Sequence, residues 1–433
     1  RNYSCLPRKY FTDASGKPQY WLHNRADSPR RATVNSISAD GGGIHVILEG
    51  VEHAPTAALR YVAPDEDALF AVESDDAQGL LAQTASLRQF ITQRGAAAMA
   101  QIARAWRQTS PMNAARQLGL AIIAGNADEL RQQLDLAEQI LRNGASAPPG
   151  NRLFFSANPL GKTGELAFVF PGSGNHYPGM GRDLAARWPE ILRRQNAENG
   201  YLQDQSQSEL FWSAMPKAEI DRFPYKILLG QAMYSTMMAD LLRLFGVQPQ
   251  ASIGYSLGES SALFALCVWQ ERDEMLRRIM TPTLYTHDLA GEFRAVAQAW
   301  HLPAGTPVDW VIAAAQCPAE AVRAALQGRP RVYLLIINTP VSCVIGGDRS
   351  AVEGVLAELG CAFAFIGGVS AAHCEVVKPV AQAYRAFHYF PSATAPQGIR
   401  FYSTAWGKAY TVTPDSAADA ILAQVLDTID FPA

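Results

Sequence analysis

At 433 residues the chain has room for about two or three domains of ordinary size. Hydrophobic residues make up 48% and charged residues 18%, the balance of a globular protein with a large core. The net charge of −3 provides no basic footprint, so nucleic acid and anionic membrane surfaces are excluded as principal partners. No apolar run approaches the roughly 18 residues of a membrane-spanning helix. The six cysteines (Cys5, Cys267, Cys317, Cys343, Cys361 and Cys374) show no C-x-x-C spacing, and several sit in apolar runs, as buried free thiols do. A reducing cytoplasm is the expected compartment. Arg1-Asn2-Tyr3 carries neither an initiator Met nor a signal-peptide layout, so the chain is expected to be a piece of a longer polypeptide.

In chain order, residues 1–52 are polar, aromatic and Arg-rich, and lead through Val34-Asn35-Ser36 into an apolar segment, Gly43 to Glu49. The pair resembles the last strands of a ketosynthase domain, which close on a glycine-rich turn and H-V-I-L-E. His45 would then be structural. Residues 53–160 carry strand-like Leu69–Val72 and Leu120–Ala124, with helix-like stretches over Asp76–Arg104 and Ala127–Asn143, and end in the breaker cluster Ser146–Gly150. This pattern predicts a small α/β linker domain.

A new unit starts near Glu165. The buried-strand run Leu166–Phe170 is followed by a glycine-rich loop, Pro171 to Gly181. Such a loop presents backbone N–H groups to an anion or oxyanion. It lacks the Lys-Ser/Thr ending of a nucleotide phosphate loop, which argues against a nucleotide site. Further on, strand-like Phe293–Ala297, a helix over Pro318–Leu326, strands Val332–Ile337 and Ser342–Ile345, a helix over Ser350–Leu359 and strand Ala362–Ile366 spell β-α-β-β-α-β. That order predicts a ferredoxin-like subdomain inserted into the larger unit. The chain returns through Ser370–Val380 and a late strand, Ile399–Ser403.

The chemistry centres on Gly254-Tyr255-Ser256-Leu257-Gly258-Glu259. A Gly-x-Ser-x-Gly turn between a strand and a helix lifts the serine hydroxyl clear of the sheet edge, where it can be acylated. The pattern is short enough to arise by chance, so its surroundings must carry the reading. Ser256 needs a base, because a serine hydroxyl is a poor nucleophile until a neighbour takes its proton. Among the histidines, His373 in the small-residue run Ser370-Ala371-Ala372-His373-Cys374 is favoured, and His176 beside the glycine-rich loop is its competitor.

Four segments in order resemble the malonyl-CoA:acyl-carrier-protein acyltransferase family, in the form embedded in type I polyketide synthases. They are Phe168–Gly174 running on to Pro178–Gly181; Gly254–Glu259; Ile337-Asn338-Thr339-Pro340 with Val344–Gly347; and Val369–His373 followed by Lys378-Pro379. The resemblance covers about residues 165–433 and implies an α/β-hydrolase-like acyltransferase core, residues 161–290 and 367–433, around a ferredoxin-like subdomain, residues 291–366. It also implies the roles. Ser256 would attack an acyl-CoA thioester, and His373 would act as general base, then as acid. Backbone N–H groups of Leu257 and Ser173 would form the oxyanion hole. A late-strand carbonyl at Ser403-Thr404 would orient the histidine.

For malonyl groups the family uses an arginine about 25 residues after the serine, whose planar fork grips the free carboxylate. Gapless counting lands on Thr281; Arg277 and Arg278 lie one helical turn earlier, and counting back from Gly291-Glu292-Phe293 favours Arg278. Tyr255 and Glu259-Ser260 look most like acyltransferases of iterative, enediyne-type synthases, which build from malonyl units. Malonyl-CoA is therefore the expected donor, with no tightly bound cofactor and no metal. The expected acceptor is the phosphopantetheine thiol of an acyl carrier protein, and ketosynthase and other synthase domains would be covalent neighbours. Two alternatives stay open. A serine hydrolase, thioesterase or esterase, would use the same elbow with an acid such as Asp273, Asp288, Asp309 or Asp348, and a catalytically dead docking domain would use neither Ser256 nor His373.

Overall fold

The computed structural model describes residues 10–12, 18–50, 67–94, 98–113, 115–144, 147–148, 150–213, 215–281, 283–367 and 370–432. Arg1–Tyr3, Cys5, the expected boundary at 52/53 and Val369 lie outside them. The chain divides into two compact units, Arg60–Gly164 and a larger one formed by Arg1–Leu59 with Glu165–Ala433.

In the larger unit, strands β1 (Arg31–Ile37) and β2 (Gly43–Glu49) form an antiparallel hairpin at the two segments read as strands from the sequence. Ile37 and Ile44 on it are exposed, and His45 is exposed beside Asn35.

The smaller unit runs through β3 (Ala68–Ser74), α1 (Ala77–Arg94), α2 (Met99–Thr109), β4 (Leu118–Ala124), α3 (Ala127–Asn143) and β5 (Leu153–Phe155). Its three strands are antiparallel in the order β3-β4-β5. Alternation puts Phe70, Val72, Leu120 and Ile122 on one face, under Leu80 and Leu87 of α1, Trp106 of α2 and Leu134 of α3. The single helix expected over Asp76–Arg104 is two helices. The second is fixed by the Trp106 indole N–H, which donates to the Ala71 carbonyl at 3.0 Å. α3 is bounded as the sequence predicts, with Asn126 accepting from the Glu129 N–H and Gly144 in the left-handed region.

Residues 165–433 build two sheets. The first runs through β6 (Ala167–Phe170), β7 (Ala251–Gly254), β12 (Arg400–Ser403) and β13 (Lys408–Tyr410), in the order β13-β12-β7-β6. β6, β7 and β12 are parallel, with Phe170 opposite Gly254 and Tyr402 opposite Ile253. The long helix α4 (Pro224–Leu244) packs against α5 (Leu257–Ala265), which follows β7. α6 (Arg272–Met280) comes next.

The second sheet contains β8 (Trp310–Ala315), β9 (Val332–Thr339), β10 (Ser342–Asp348) and β11 (Phe363–Phe365). Helix α8 (Ala319–Ala325) follows β8, and α9 (Arg349–Leu359) follows β10. With β14 (Ile429–Asp430) added in parallel to β9, the order is β11-β8-β10-β9-β14. The β-α-β-β-α-β pattern is present, but its first strand is not the one expected. Phe293–Ala297 contributes to helix α7 (Arg294–Ala299), where Ala295 and Val296 are buried, with the C-cap residue Trp300 buried one turn after Val296. A short apolar stretch is ambiguous between the two periods, and packing of that face decided it. Two further helices position the site: α10 (Ala381–Phe387) and α11 (Pro414–Leu426).

Candidate active site

β7 ends at Gly254 and α5 begins at Leu257, leaving Ser256 on the turn with φ 54° and ψ −120°. A non-glycine residue keeps such a backbone only where its surroundings enforce it. Here the Gly258 N–H donates to the Tyr255 carbonyl at 2.8 Å and the Glu259 N–H to the Ser256 carbonyl at 3.0 Å. Gly258 also lets the end of β6 run against the turn, since an added Cβ would lie 2.0 Å from the Phe170 oxygen. Gly172 is pressed closely too, its hypothetical Cβ 2.5 Å from the Tyr255 ring. These two approaches bring the glycine-rich loop to the elbow, so Ser173, Ser256 and Leu257 share one cavity wall.

His373 lines the same cavity, with Nε2 2.8 Å from Ser256 Oγ. Its Nδ1 lies 2.7 Å from the main-chain oxygen of Gln424, and its own N–H donates to Val425 O at 2.7 Å. An acceptor at Nδ1 places the proton there and leaves the Nε2 lone pair facing the serine hydroxyl. Both carbonyls sit in the last turn of α11, where helix oxygens have no intrahelical partner. That turn is also the negative end of the helix dipole, which favours an imidazolium. Burial holds His373 well below its ordinary value, at about 4, against the opposing pull of the Gln424 carbonyl. The Ala371 N–H, donating to Leu289 O at 2.7 Å, fixes the segment on its other side.

The carbonyl that meets the histidine therefore comes from Gln424, not from Ser403-Thr404. Thr404 is turned to Glu259 instead, its N–H and hydroxyl donating to Oε1 at 2.6 and 2.5 Å. Burial pushes the Glu259 carboxyl up to about 7, against the hydrogen bonds from Thr404 and Gln424. The Gln424 side chain adds a second tie to the elbow, donating from Nε2 to the Ser256 carbonyl at 2.7 Å. Neither Gln424 contact was legible in the sequence, because a glutamine near the end of an apolar helix carries no motif. Asn338, in the Ile337–Pro340 motif, accepts at Oδ1 from the Tyr255 hydroxyl at 2.6 Å, tying β9 to the elbow.

The competing residues are committed elsewhere. His176 Nε2 lies 2.7 Å from Asp221 Oδ1 and 3.3 Å from Lys217 Nζ, and His176 does not line the cavity. Asp273 accepts from the Gly200 and Tyr201 N–H groups, Asp288 from Thr283, Asp309 pairs with Arg349, and Asp348 caps α9. Among the described residues none of these carboxylates bonds to His373.

The two arginines are not brought to the cavity. Arg277 is 64% exposed and paired with Glu274 at 2.6 Å. Arg278 donates from Nε to Glu274 at 2.8 Å and from Nη1 to the carbonyls of Phe387 and Tyr389 at 2.7 and 2.9 Å. Its guanidinium also lies over the Phe390 ring, 4.3 Å from the centroid. Thr281 caps back onto the Arg277 carbonyl at 2.7 Å. The two arginines expected as the carboxylate clamp thus have other partners, and Met275 and Ile279 are the residues that α6 turns into the cavity.

Among the described residues no group of three or more His, Cys, Asp and Glu could hold a metal ion, and no helix is long and apolar enough to cross a membrane.

The solved structures with this architecture include the acyl transferase domain of SpnD, with TM-score 0.57 at 23% identity, covering 84% of this chain and 80% of that one. The acyltransferase domain of an iterative polyketide synthase in enediyne biosynthesis superposes with TM-score 0.55 at 18% identity, covering 84% and 81%. The fold is that of a polyketide synthase acyltransferase domain. In sequence the chain is 29% identical over 339 residues to polyketide synthase GfsA of Streptomyces halstedii, matching 77% of this chain and 4% of that protein. It is 28% identical over 343 residues to polyketide synthase GfsE of the same organism, matching 77% and 8%. The chain thus spans a small part of each of these long proteins. No family model matches it.

Proposed function

We propose that the chain transfers an acyl group from a thioester to the phosphopantetheine thiol of an acyl carrier protein through an ester on Ser256. The observation that carries this reading is the relay from Ser256 Oγ through His373 to the Gln424 carbonyl, with contacts of 2.8 and 2.7 Å. As Ser256 attacks the thioester carbonyl, its proton passes to Nε2 of His373, and the resulting imidazolium is met by the C-terminal turn of α11. The oxyanion that forms is received by the N–H groups of Leu257 and Ser173. Collapse expels the donor thiolate, which takes the proton from Nε2 and leaves as a thiol. In the second half the carrier thiol gives its proton to Nε2 and attacks the Ser256 ester, and as the tetrahedral adduct collapses the ester bond breaks and Ser256 Oγ takes that proton from Nε2.

Within this reading, residues 1–52 are the end of a ketosynthase domain, 53–160 the linker, 161–290 with 367–433 the hydrolase-like core, and 291–366 a ferredoxin-like subdomain. The strand order β11-β8-β10-β9 supports that last assignment. Malonyl-CoA, the donor expected from the sequence, finds no arginine in the cavity. A hydrolase reading is disfavoured because the histidine rests on a main-chain carbonyl rather than an acid. The discriminating experiment follows release of coenzyme A from acyl-CoA with and without a phosphopantetheinylated carrier protein. Turnover that depends on the carrier supports transfer, and turnover indifferent to it supports hydrolysis.

A further inference from the structure

The cavity that holds Ser256 and His373 also contains the space in which an acyl chain must lie. Its far wall is apolar, built from Leu228, Phe264, Met275, Ile279 and Phe387. Among the described residues no lysine, arginine, aspartate or glutamate lines it. The polar groups in that lining are uncharged. Tyr285 and Tyr384 face each other with ring centroids 6.2 Å apart, both kept protonated by burial, and His388 Nδ1 lies 2.9 Å from the Tyr384 carbonyl. Burial, with Arg278 behind it, holds His388 down at about 4, so the ring carries no charge at neutral pH.

From this lining we infer that the acyl group taken by Ser256 is uncharged, a short alkanoyl group rather than a dicarboxylic half-thioester such as malonyl. The inference rests on the acyl-transfer reading above. A carboxylate in this cavity would lose its water with no cation in return, only neutral groups such as the Ser260, Ser370, Tyr285 and Tyr384 hydroxyls being in the lining, and such a buried, unpaired charge is strongly disfavoured. A methyl or methylene in the same place gains contact with Met275, Ile279 and Phe264 at no such cost. Arg278, which bonds to the carbonyl of the lining residue Phe387, would have to abandon two carbonyls, Glu274 and the Phe390 ring to swing in.

The test is a set of initial loading rates on Ser256, read by intact-protein mass spectrometry with equal concentrations of acetyl-, propionyl-, butyryl- and malonyl-CoA, and with Ser256→Ala as the blank. Propionyl and butyryl are expected to load at least about tenfold faster than malonyl. Each added methylene should raise the rate about 3- to 4-fold until the cavity is full. Malonyl loading fastest would overturn this inference and leave transfer standing. If that malonyl rate also rose from pH 8 to pH 6, the carboxylate would be held by protonated His388. No adduct on Ser256 from any donor would overturn the transfer reading itself. Ile279→Arg supplies a second readout, because a cation placed in the wall is expected to shift the malonyl-to-butyryl ratio upward by about tenfold or more. An unchanged ratio in the folded variant would mean the acyl chain lies elsewhere.

Discussion

The main-chain oxygen of Gln424 lies 2.7 Å from Nδ1 of His373, while the side chain of the same glutamine donates to the Ser256 carbonyl at 2.7 Å. One residue at the end of a helix thus holds the histidine in the required tautomer and braces the strained turn that carries the serine. Because the acceptor is main chain, it persists in any side-chain variant. Gln424→Ala should therefore slow Ser256 loading by roughly tenfold and cost about 1 kcal/mol of stability through the lost brace, leaving the pH profile in place. Loading rates across pH, together with urea unfolding, test this. A shifted profile would mean that the side chain, not the carbonyl, sets the histidine.

The elbow depends on Gly258. A methyl there would meet the Phe170 oxygen at 2.0 Å, a contact between two backbones that cannot be relieved by a rotamer change. Gly258→Ala is expected to destabilise the chain by about 3 kcal/mol or more. Thermal unfolding of this variant beside Gly407→Ala would show whether crowding is the cause. At position 407 nothing lies near an added Cβ, and only the left-handed φ of 61° opposes the change.

Burial lowers His373 to about 4. The neutral base should then persist far below the ordinary histidine value near 6.5, so the loading rate should stay level from pH 8 to about 5.5 and fall only below that. The same shift has a stability consequence. The unfolded chain binds the proton first, so this contribution is complete above about 6.5 and is lost as pH falls toward 4. A loading curve with its midpoint near 6.5 would show an imidazole more hydrated than the structure has it.

Glu259 shows the opposite sign. Its carboxyl is raised to about 7, so the folded state prefers it protonated and stability drains away as pH rises from about 4.5 through 7. Glu259→Gln keeps an acceptor for the Thr404 N–H and removes the charge. The variant should exceed the unaltered chain in stability at pH 8 by on the order of 2–3 kcal/mol, with the difference vanishing near pH 4.5. Urea unfolding at the two pH values measures it, and a difference that does not change with pH would rule out a buried charge as the cause.

Arg278 ties α6 to the Phe387 and Tyr389 carbonyls. Replacing it with alanine strands the Phe387 and Tyr389 carbonyls and should cost roughly 1–3 kcal/mol of stability. The ratio of malonyl to acetyl loading should not change. A ratio that falls tenfold or more would return the arginine to the cavity.

The parts of the site legible in the sequence were those fixed by local chemistry. Gly254 to Glu259 announces a tight strand-to-helix turn, and Pro171 to Gly174 announces a loop that can approach it closely; both predict local backbone shape. Long-range partners were harder to read. A carbonyl of Ser403-Thr404 was expected at the histidine from the family resemblance, but the carbonyl found there belongs to Gln424, 51 residues from His373, a partner no local motif announces. Arg278 was expected at the substrate from the family resemblance and from counting along the chain, and helical register gives a face but not the three acceptors that hold this side chain. Phe293–Ala297 failed for a related reason, as five residues of mixed bulk fit either period and Ala295 and Val296 were settled by packing.

The central claim, that Ser256 carries the acyl group and hands it to a carrier thiol, is tested most directly by trapping and chase. The chain is incubated with radiolabelled propionyl-CoA, freed of excess donor, and split between buffer and a phosphopantetheinylated acyl carrier protein. Label on Ser256, absent from Ser256→Ala, that moves to the carrier far faster than it is lost to water is the predicted result. Label that never appears on Ser256, or that leaves it equally fast with and without the carrier, would contradict it.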